Sequence, residues 1–217
     1  MTTTKAEWNR NEWVFATQNK HKVSELNSIF REQLGIKVVG LHSFKGLPEI
    51  IEDQDTFEGN ARKKAETISQ VLGRPVFADD SGLSVDFLNG APGVYSARYA
   101  GLGATDEQNV EKLLYELKGV SQDKRGASFV CVLALSVPGE KTFIVRGECP
   151  GRIAFHPQGE YGFGYDPVFF LPDRGCTMAE LPPHVKNQIS HRAHATERLI
   201  HLLNEKFDFD QKSLSKE

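Results

Sequence analysis

Between Trp13 and Ala78 the chain alternates short apolar runs with longer stretches whose apolar residues recur every three or four positions. Trp13-Val14-Phe15-Ala16 reads as a short buried strand that stops at Thr17-Gln18-Asn19. A helix follows, with Val23, Leu26, Ile29 or Phe30, and Leu34 on one face and Gly35 as its stop. Ile36 to Leu41 can form the next strand. After a turn near Pro48 comes an acidic stretch from Glu49 to Asp55. Thr56 is suited to cap a helix whose Phe57, Ala61, Ala65, Ile68 and Leu72 make one stripe, closed by Gly73. Pro75 then opens a strand, Val76-Phe77-Ala78.

Further along, Ser81-Gly82, Asn89-Gly90 and Pro92-Gly93 read as turns, and a helix spans about Asp106 to Leu117. Ala127 to Val137 is apolar enough for a buried strand, and Pro138-Gly139-Glu140 turns it into a strand over Thr142 to Arg146. A glycine-rich loop over 159–167 precedes a strand from Val168 to Leu171, and Ser190 caps a last helix with Leu199, Leu202 and Leu203 inward. Strands and helices that alternate early, then hairpins, predict an α/β fold with a mixed sheet.

The length of 217 residues fits one α/β domain, with two lobes possible, and at this size folding removes roughly 70% of the unfolded surface from water. Lys and Arg number 26 and Asp and Glu 29, a net charge of −3, which argues against a surface built to coat nucleic acid or an anionic membrane. Cys131, Cys149 and Cys176 are widely spaced and odd in number, which argues against a disulfide framework and fits a reducing cytoplasm. No apolar run approaches the ~20 residues of a membrane helix. Residues 1–13 are polar and lack the apolar centre of a secretion signal.

Five constellations can carry chemistry, and each has a plainer alternative. Thr17-x-Asn19-x-x-Lys22 joins a strand to a helix, where unpaired N–H groups and a lysine suit a phosphate; a simple stabilising cap would look the same. Asp79-Asp80 follows a strand, where adjacent carboxylates repel unless a cation such as Mg²⁺ sits there; Ser81-Gly82 then offers a sharp turn, a hydroxyl and an N–H. A solvated turn is the alternative. In the acidic stretch, Glu49, Glu52, Asp53 and Asp55 precede a helix bearing Asn60 and Lys64 on one face, where a carboxylate can complete a metal site or merely complement the helix dipole.

Gly162-Phe163-Gly164-Tyr165-Asp166-Pro167 allows close approach of a flat ligand, with Phe163 to stack on a base; a tight loop with core aromatics is equally compatible with the fragment. Lys186 with Ser190-His191-Arg192 gathers three basic groups near a helix start, an awkward place for cations unless an anion or keto oxygen binds. His191, His194 and His201 share a helical side but lack partners at ligand spacing, so no zinc is assigned.

These motifs occur in a fixed order, together with Thr56-Phe57-x-x-Asn60-Ala61 and the decapeptide Gly90-Ala91-Pro92-Gly93-Val94-Tyr95-Ser96-Ala97-Arg98-Tyr99. In that order, from about Val14 to Leu203, the chain strongly resembles the inosine-triphosphate pyrophosphatase family of non-standard purine nucleoside triphosphate pyrophosphatases. The resemblance implies Mg²⁺-dependent hydrolysis of inosine, deoxyinosine and xanthosine triphosphates to monophosphate and pyrophosphate. It implies a homodimer, and the charge balance argues against a nucleic-acid or membrane partner. The implied fold is an elongated mixed sheet with flanking helices, two lobes around a central cleft: a polar arm over 1–13, one domain over 14–206 and a polar tail over 207–217.

Carried over by motif, Asp80 is the catalytic acid/base and a metal ligand, and Glu52 the second metal-linked carboxylate. Thr17, Asn19 and Lys22 hold the phosphates with Lys64 and Ser81 near them, Phe163, Gly164, Tyr165 and Asp166 line the base and sugar, and Lys186, His191 and Arg192 meet the base. Two departures stand out. The first dozen residues extend before the family's usual start, and Ile51-Glu52-Asp53-Gln54-Asp55 is less regular than the usual acid pair, so the metal role can shift to Asp53. Two rivals have other signatures. A pyrophosphatase for modified pyrimidines should lack the Ser-His-Arg and Gly-Phe-Gly-Tyr-Asp motifs, and a non-catalytic nucleotide- or RNA-binding module would need a basic face and no Asp79-Asp80.

Overall fold

A computed structural model describes residues 12–206. The polar tail and most of the N-terminal arm lie outside that range. Glu12 and Trp13, counted with the arm by the sequence, belong to strand β1 (Glu12–Phe15), where Trp13 is buried. Helix α1 (Lys20–Leu34), β2 (Lys37–Gly40), α2 (Phe57–Leu72) and β3 (Val76–Val85) follow. Then come α3 (Asp106–Glu116), β4 (Gly126–Ser136), β5 (Phe143–Ile153), β6 (Phe169–Leu171), β7 (Cys176–Thr177), α4 (Pro183–Ile189) and α5 (His191–Lys206).

The strands form one seven-stranded sheet in the order β2-β1-β3-β4-β5-β6-β7. β1 runs parallel to β2 and to β3, while β6 is antiparallel to β5 and to β7, so the sheet is mixed and the fold α/β. The chain divides into two compact units. One comprises the described residues up to Asp79, Val132–Val145 and the residues from Thr196 on; the other comprises Asp80–Cys131 and Arg146–Ala195. Among the described residues no helix is long and apolar enough to cross a membrane.

In the first unit the apolar faces expected of α1 and α2 are buried. Val23, Leu26, Phe30 and Leu34 are inward on α1, and Phe57, Ala61, Ala65 and Ile68 on α2, whose last stripe residue, Leu72, is half-buried. They meet a core in which the Phe15 and Phe77 rings stack at 4.8 Å. Each such ring or branched side chain, once removed from water, contributes about 1.5–3 kcal/mol. Thr56 caps α2 by accepting the Gly59 N–H at 3.0 Å, and Gly73 ends it at φ 62°, a left-handed conformation that glycine adopts without strain. In the second unit Leu83, Val85, Leu113, Leu117, Phe129, Ile153, Phe169 and Met178 pack together.

Two strands run further than the sequence suggests. Ser81-Gly82 is not a turn: β3 continues through it to Val85, because backbone pairing in the sheet outweighs the turn preference of those residues. β5 continues past Arg146 to Ile153 despite Gly147, Pro150 and Gly151. Its glycines are places of close approach. A Cβ at Gly147 would overlap the Ala195 nitrogen and the His191 carbonyl oxygen, and one at Gly151 would meet the Phe169 ring.

Candidate active site

In the first unit, β1 delivers Thr17 and Asn19 to the start of α1. Asn19 caps the helix by accepting the Lys22 N–H on Oδ1 at 3.2 Å, and Thr17 Oγ1 accepts the Asn19 N–H at 3.2 Å. Lys20 at the start of α1 is exposed, and Lys22, within the first turn, is half-buried. Lys22 Nζ pairs with Asp79 Oδ2 at 2.6 Å, and Asp79 is only 4% exposed. A buried carboxylate needs such a partner, since an unpaired charge away from water is costly.

The acidic stretch is organised by α2. Asn60, nearly fully buried, accepts the Gln54 N–H on Oδ1 at 3.0 Å and so fixes the segment before the helix. Lys64 is ion-paired to Glu52, while Lys63 pairs with Asp53 at 2.7 Å. The pairing with Lys63, assisted by Gln54, holds the Asp53 carboxyl below the usual carboxylate range. The two candidates for the second metal carboxylate are thus separated: Asp53 is engaged with an outer lysine, and Glu52 with the lysine that the motif places near phosphate.

Asp79 and Asp80 are consecutive on β3, so their side chains leave opposite faces of the strand. Asp80 is 8% exposed, and its Oδ1 accepts the Ser81 N–H at 3.0 Å. Ser81 Oγ is buried and has no hydrogen-bond partner among the described residues. A buried hydroxyl left in that condition is costly unless a ligand supplies the partner.

In the second unit, Phe163 to Asp166 form a tight turn closed by Asp166 N–H to Phe163 O at 3.2 Å. Asp166, buried, accepts the Phe163 N–H on Oδ2 at 2.9 Å and is ion-paired through the same oxygen to Lys186. Gly162 is obligatory here, because a Cβ would overlap that carboxylate and φ is +84°. The Phe163 ring is 63% exposed, with Lys186 Nζ 4.4 Å from its centroid. Tyr165 turns inward instead: its hydroxyl donates to Ser96 O at 2.8 Å, and burial raises its pKa, so it stays protonated.

The basic cluster is arranged differently from the single helix start that the sequence suggests. Lys186 lies in the last turn of the separate helix α4, where the dipole favours a cation. Ser190 both ends α4 and begins α5, its Oγ accepting the Ala193 N–H at 3.2 Å. His191 and Arg192 open α5, and the His191 ring stacks on Phe129 with centroids 5.0 Å apart. His194 Nδ1 lies 2.7 Å from Glu148 O, a backbone contact.

The profile of the Ham1 family matches residues 13–202, nearly all of the described chain. The chain belongs to the Ham1 family. Similar proteins include a dITP/XTP pyrophosphatase of Shouchella clausii, 52% identical over 185 residues that cover 85% of this chain and 92% of that protein. One of the same name from Geobacillus kaustophilus is 53% identical over 188 residues, covering 87% of this chain and 92% of its own. Among solved structures, the Staphylococcus aureus Ham1 protein superposes with a TM-score of 0.85 at 42% identity, over 90% of this chain and 100% of that one. A HAM1 protein from Coxiella burnetii gives 0.84 at 43% identity, over 89% and 98%.

Several groups that shape this Ham1-family site have no role legible in the sequence. Ser96 sits inside the Gly90–Tyr99 motif and joins three segments: its Oγ accepts the Leu83 N–H and donates to Gly93 O, and its carbonyl takes the Tyr165 hydroxyl. Asn60 is a buried brace for the segment before α2. Gly147 sets how closely the start of α5 approaches β5. Only the repetition of Ser and Gly within long motifs hints at such roles.

Proposed function

We propose that this Ham1-family chain hydrolyses deoxyinosine, inosine and xanthosine triphosphates to the monophosphate and pyrophosphate. The observation that carries this reading is the similarity, over most of both chains, to relatives named dITP/XTP pyrophosphatase. Thr17, Asn19, Lys22 and Lys64 receive the triphosphate. The N–H groups at the start of α1 and two ammonium groups suit that charge. An ammonium has three donors, and the Asp79 bond uses one of those on Lys22 while fixing where the others point.

A Mg²⁺ ion fits the residues present. The donors are hard oxygens. Among the described residues, the Ser81 hydroxyl lacks a hydrogen-bond partner, and no group of three or more His, Cys, Asp or Glu is gathered to hold a metal by itself. That set suits an ion held by one or two carboxylates and the phosphates of its substrate. Asp80 and Glu52 would hold it. When bound, Mg²⁺ supplies neutralisation of phosphate charge and polarisation of the α-phosphorus. Asp80 takes a proton from the attacking water as its oxygen bonds to the α-phosphorus, and the bond to the β-phosphate oxygen breaks to release pyrophosphate. Positioning and charge supply most of the rate in such reactions.

Phe163 offers a platform to the base, while Asp166 and Tyr165 hold the turn that presents it. Lys186, His191 and Arg192 donate to the 6-oxygen of hypoxanthine or xanthine. Adenine brings an amino group to the same place and leaves buried donors unpaired, at a cost of about 1–3 kcal/mol each. The active protein is a cytoplasmic homodimer whose catalytic domain spans 14–206.

Pyrophosphate release from dITP, ITP, XTP, dGTP and ATP, with and without EDTA, tests this reading. Release should be rapid with dITP and XTP, about a hundredfold or more lower in kcat/KM with ATP, and abolished by EDTA. Similar kcat/KM for ATP and dITP would overturn it.

A further inference from the structure

Gly164 N–H donates to Asp106 Oδ2 at 2.7 Å, a charge-assisted bond that ties the Phe163–Asp166 turn to the first residue of α3. Asp106 is not needed to cap that helix. Thr105 already forms a capping box with Gln108: Thr105 Oγ1 accepts the Gln108 N–H at 3.3 Å and Gln108 Oε1 accepts the Thr105 N–H at 2.9 Å. The Asp106 carboxylate is therefore available for another use, and the fold directs it to the turn.

The turn needs external support. Gly162 and Gly164 both have positive φ, at 84° and 60°, and glycine loses more conformational freedom on ordering than any other residue. On its inner side the turn is fastened by Asp166 to the Phe163 N–H and to Lys186, and by the Tyr165 hydroxyl to Ser96. These contacts fix the buried half. The Phe163 ring stands 63% exposed, so packing does not set its angle, and the amide just after it is the one Asp106 holds.

We propose that Asp106 is a positioning residue for nucleobase recognition: by holding the Gly164 amide it fixes the plane in which the Phe163 ring and Lys186 above it meet the base. The proposal rests on the reading of the substrate as a purine nucleoside triphosphate. It predicts an effect confined to the base end of the substrate, because Asp106 touches neither phosphate ligands nor Asp80.

The test compares wild type with D106A and D106N. Asn keeps an acceptor at the same reach, and Ala removes it. Amide hydrogen exchange read by NMR should rise at Gly164 in D106A and stay near wild type in D106N. KM for dITP should rise about fivefold to tenfold in D106A with kcat nearly unchanged, and stay within about twofold in D106N. The inhibition constant of inorganic tripolyphosphate, which has no base, should stay the same in both variants. Unchanged exchange at Gly164 in D106A overturns the tether. Raised exchange with unchanged KM, or equal weakening of dITP and tripolyphosphate, overturns the positioning role. If wild type releases no pyrophosphate from dITP with Mg²⁺ present, the substrate reading fails instead, and the exchange measurement still decides the tether.

Discussion

Neighbouring side chains on a strand leave opposite faces, and this alone gives Asp79 and Asp80 different surroundings. Asp79 spends its charge on Lys22 at 2.6 Å and so places an ammonium beside the start of α1. Asp80 accepts the Ser81 N–H and, under the proposed function, is the carboxylate that takes the proton from water. Asp80→Asn keeps the shape and removes the base, so kcat for dITP should fall by a hundredfold or more, about 2.7 kcal/mol of barrier at ~1.4 per tenfold. Thermal unfolding and nucleotide affinity should change little. Turnover like that of wild type would remove Asp80 from the catalytic role. The sequence exposed both carboxylates as unusual, since adjacent acids after an apolar run are costly. Their division of labour was hidden, because a lysine 57 positions away decides it.

At the scale of elements, the helices were readable and the strands less so. Thr56, Gly73, Asn19 and Ser190 act as the caps their chemistry suggests, because capping is a local exchange between one side chain and the next backbone turn. β3 and β5 overran their expected ends because strand pairing is supplied by partners distant in sequence. The short helix α4, which carries Lys186 ahead of the Ser190 cap, is not among the helices the sequence suggests. Gly147 sets how closely α5 rides on β5, and His191 is the residue whose carbonyl it meets. Gly147→Ala should push the start of α5 outward, costing about 1–3 kcal/mol of stability. KM for dITP should rise while the inhibition constant of tripolyphosphate stays constant. A variant with unchanged melting temperature and KM would show that the approach of α5 is not limiting.

For the whole molecule, stability has a pH dependence with a definite sign. Burial pushes the Cys149 thiol from 9.0 up to about 11. The folded chain then holds that proton more tightly than the unfolded chain does. The stabilisation is complete below pH 9 and disappears as pH rises through about 11. A rise of that size is worth roughly 2–3 kcal/mol at most. Tyr99 and Tyr165, also raised chiefly by burial, begin to add to the loss above about pH 10.0, their ordinary value. Urea unfolding of wild type should therefore show a stability that falls between pH 9 and 11, and C149A a shallower fall over the same window. Parallel curves would mean that the thiol is not the group responsible.

The sequence by itself determined the α/β alternation, the caps of the main helices and the order of the motifs, because periodicity and capping act within a few residues. It also singled out Asp79-Asp80, Lys22, Phe163 and His191 as residues with something to do. The tertiary structure alone decided that β3 runs straight through the acidic pair, that Asp79 serves Lys22, that Glu52 rather than Asp53 faces Lys64, and that Asp106 reaches Gly164. The Lys22–Asp79 and Asp106–Gly164 contacts join residues 57 and 58 positions apart, so there a carboxylate's partner is set by packing and not by its neighbours in sequence.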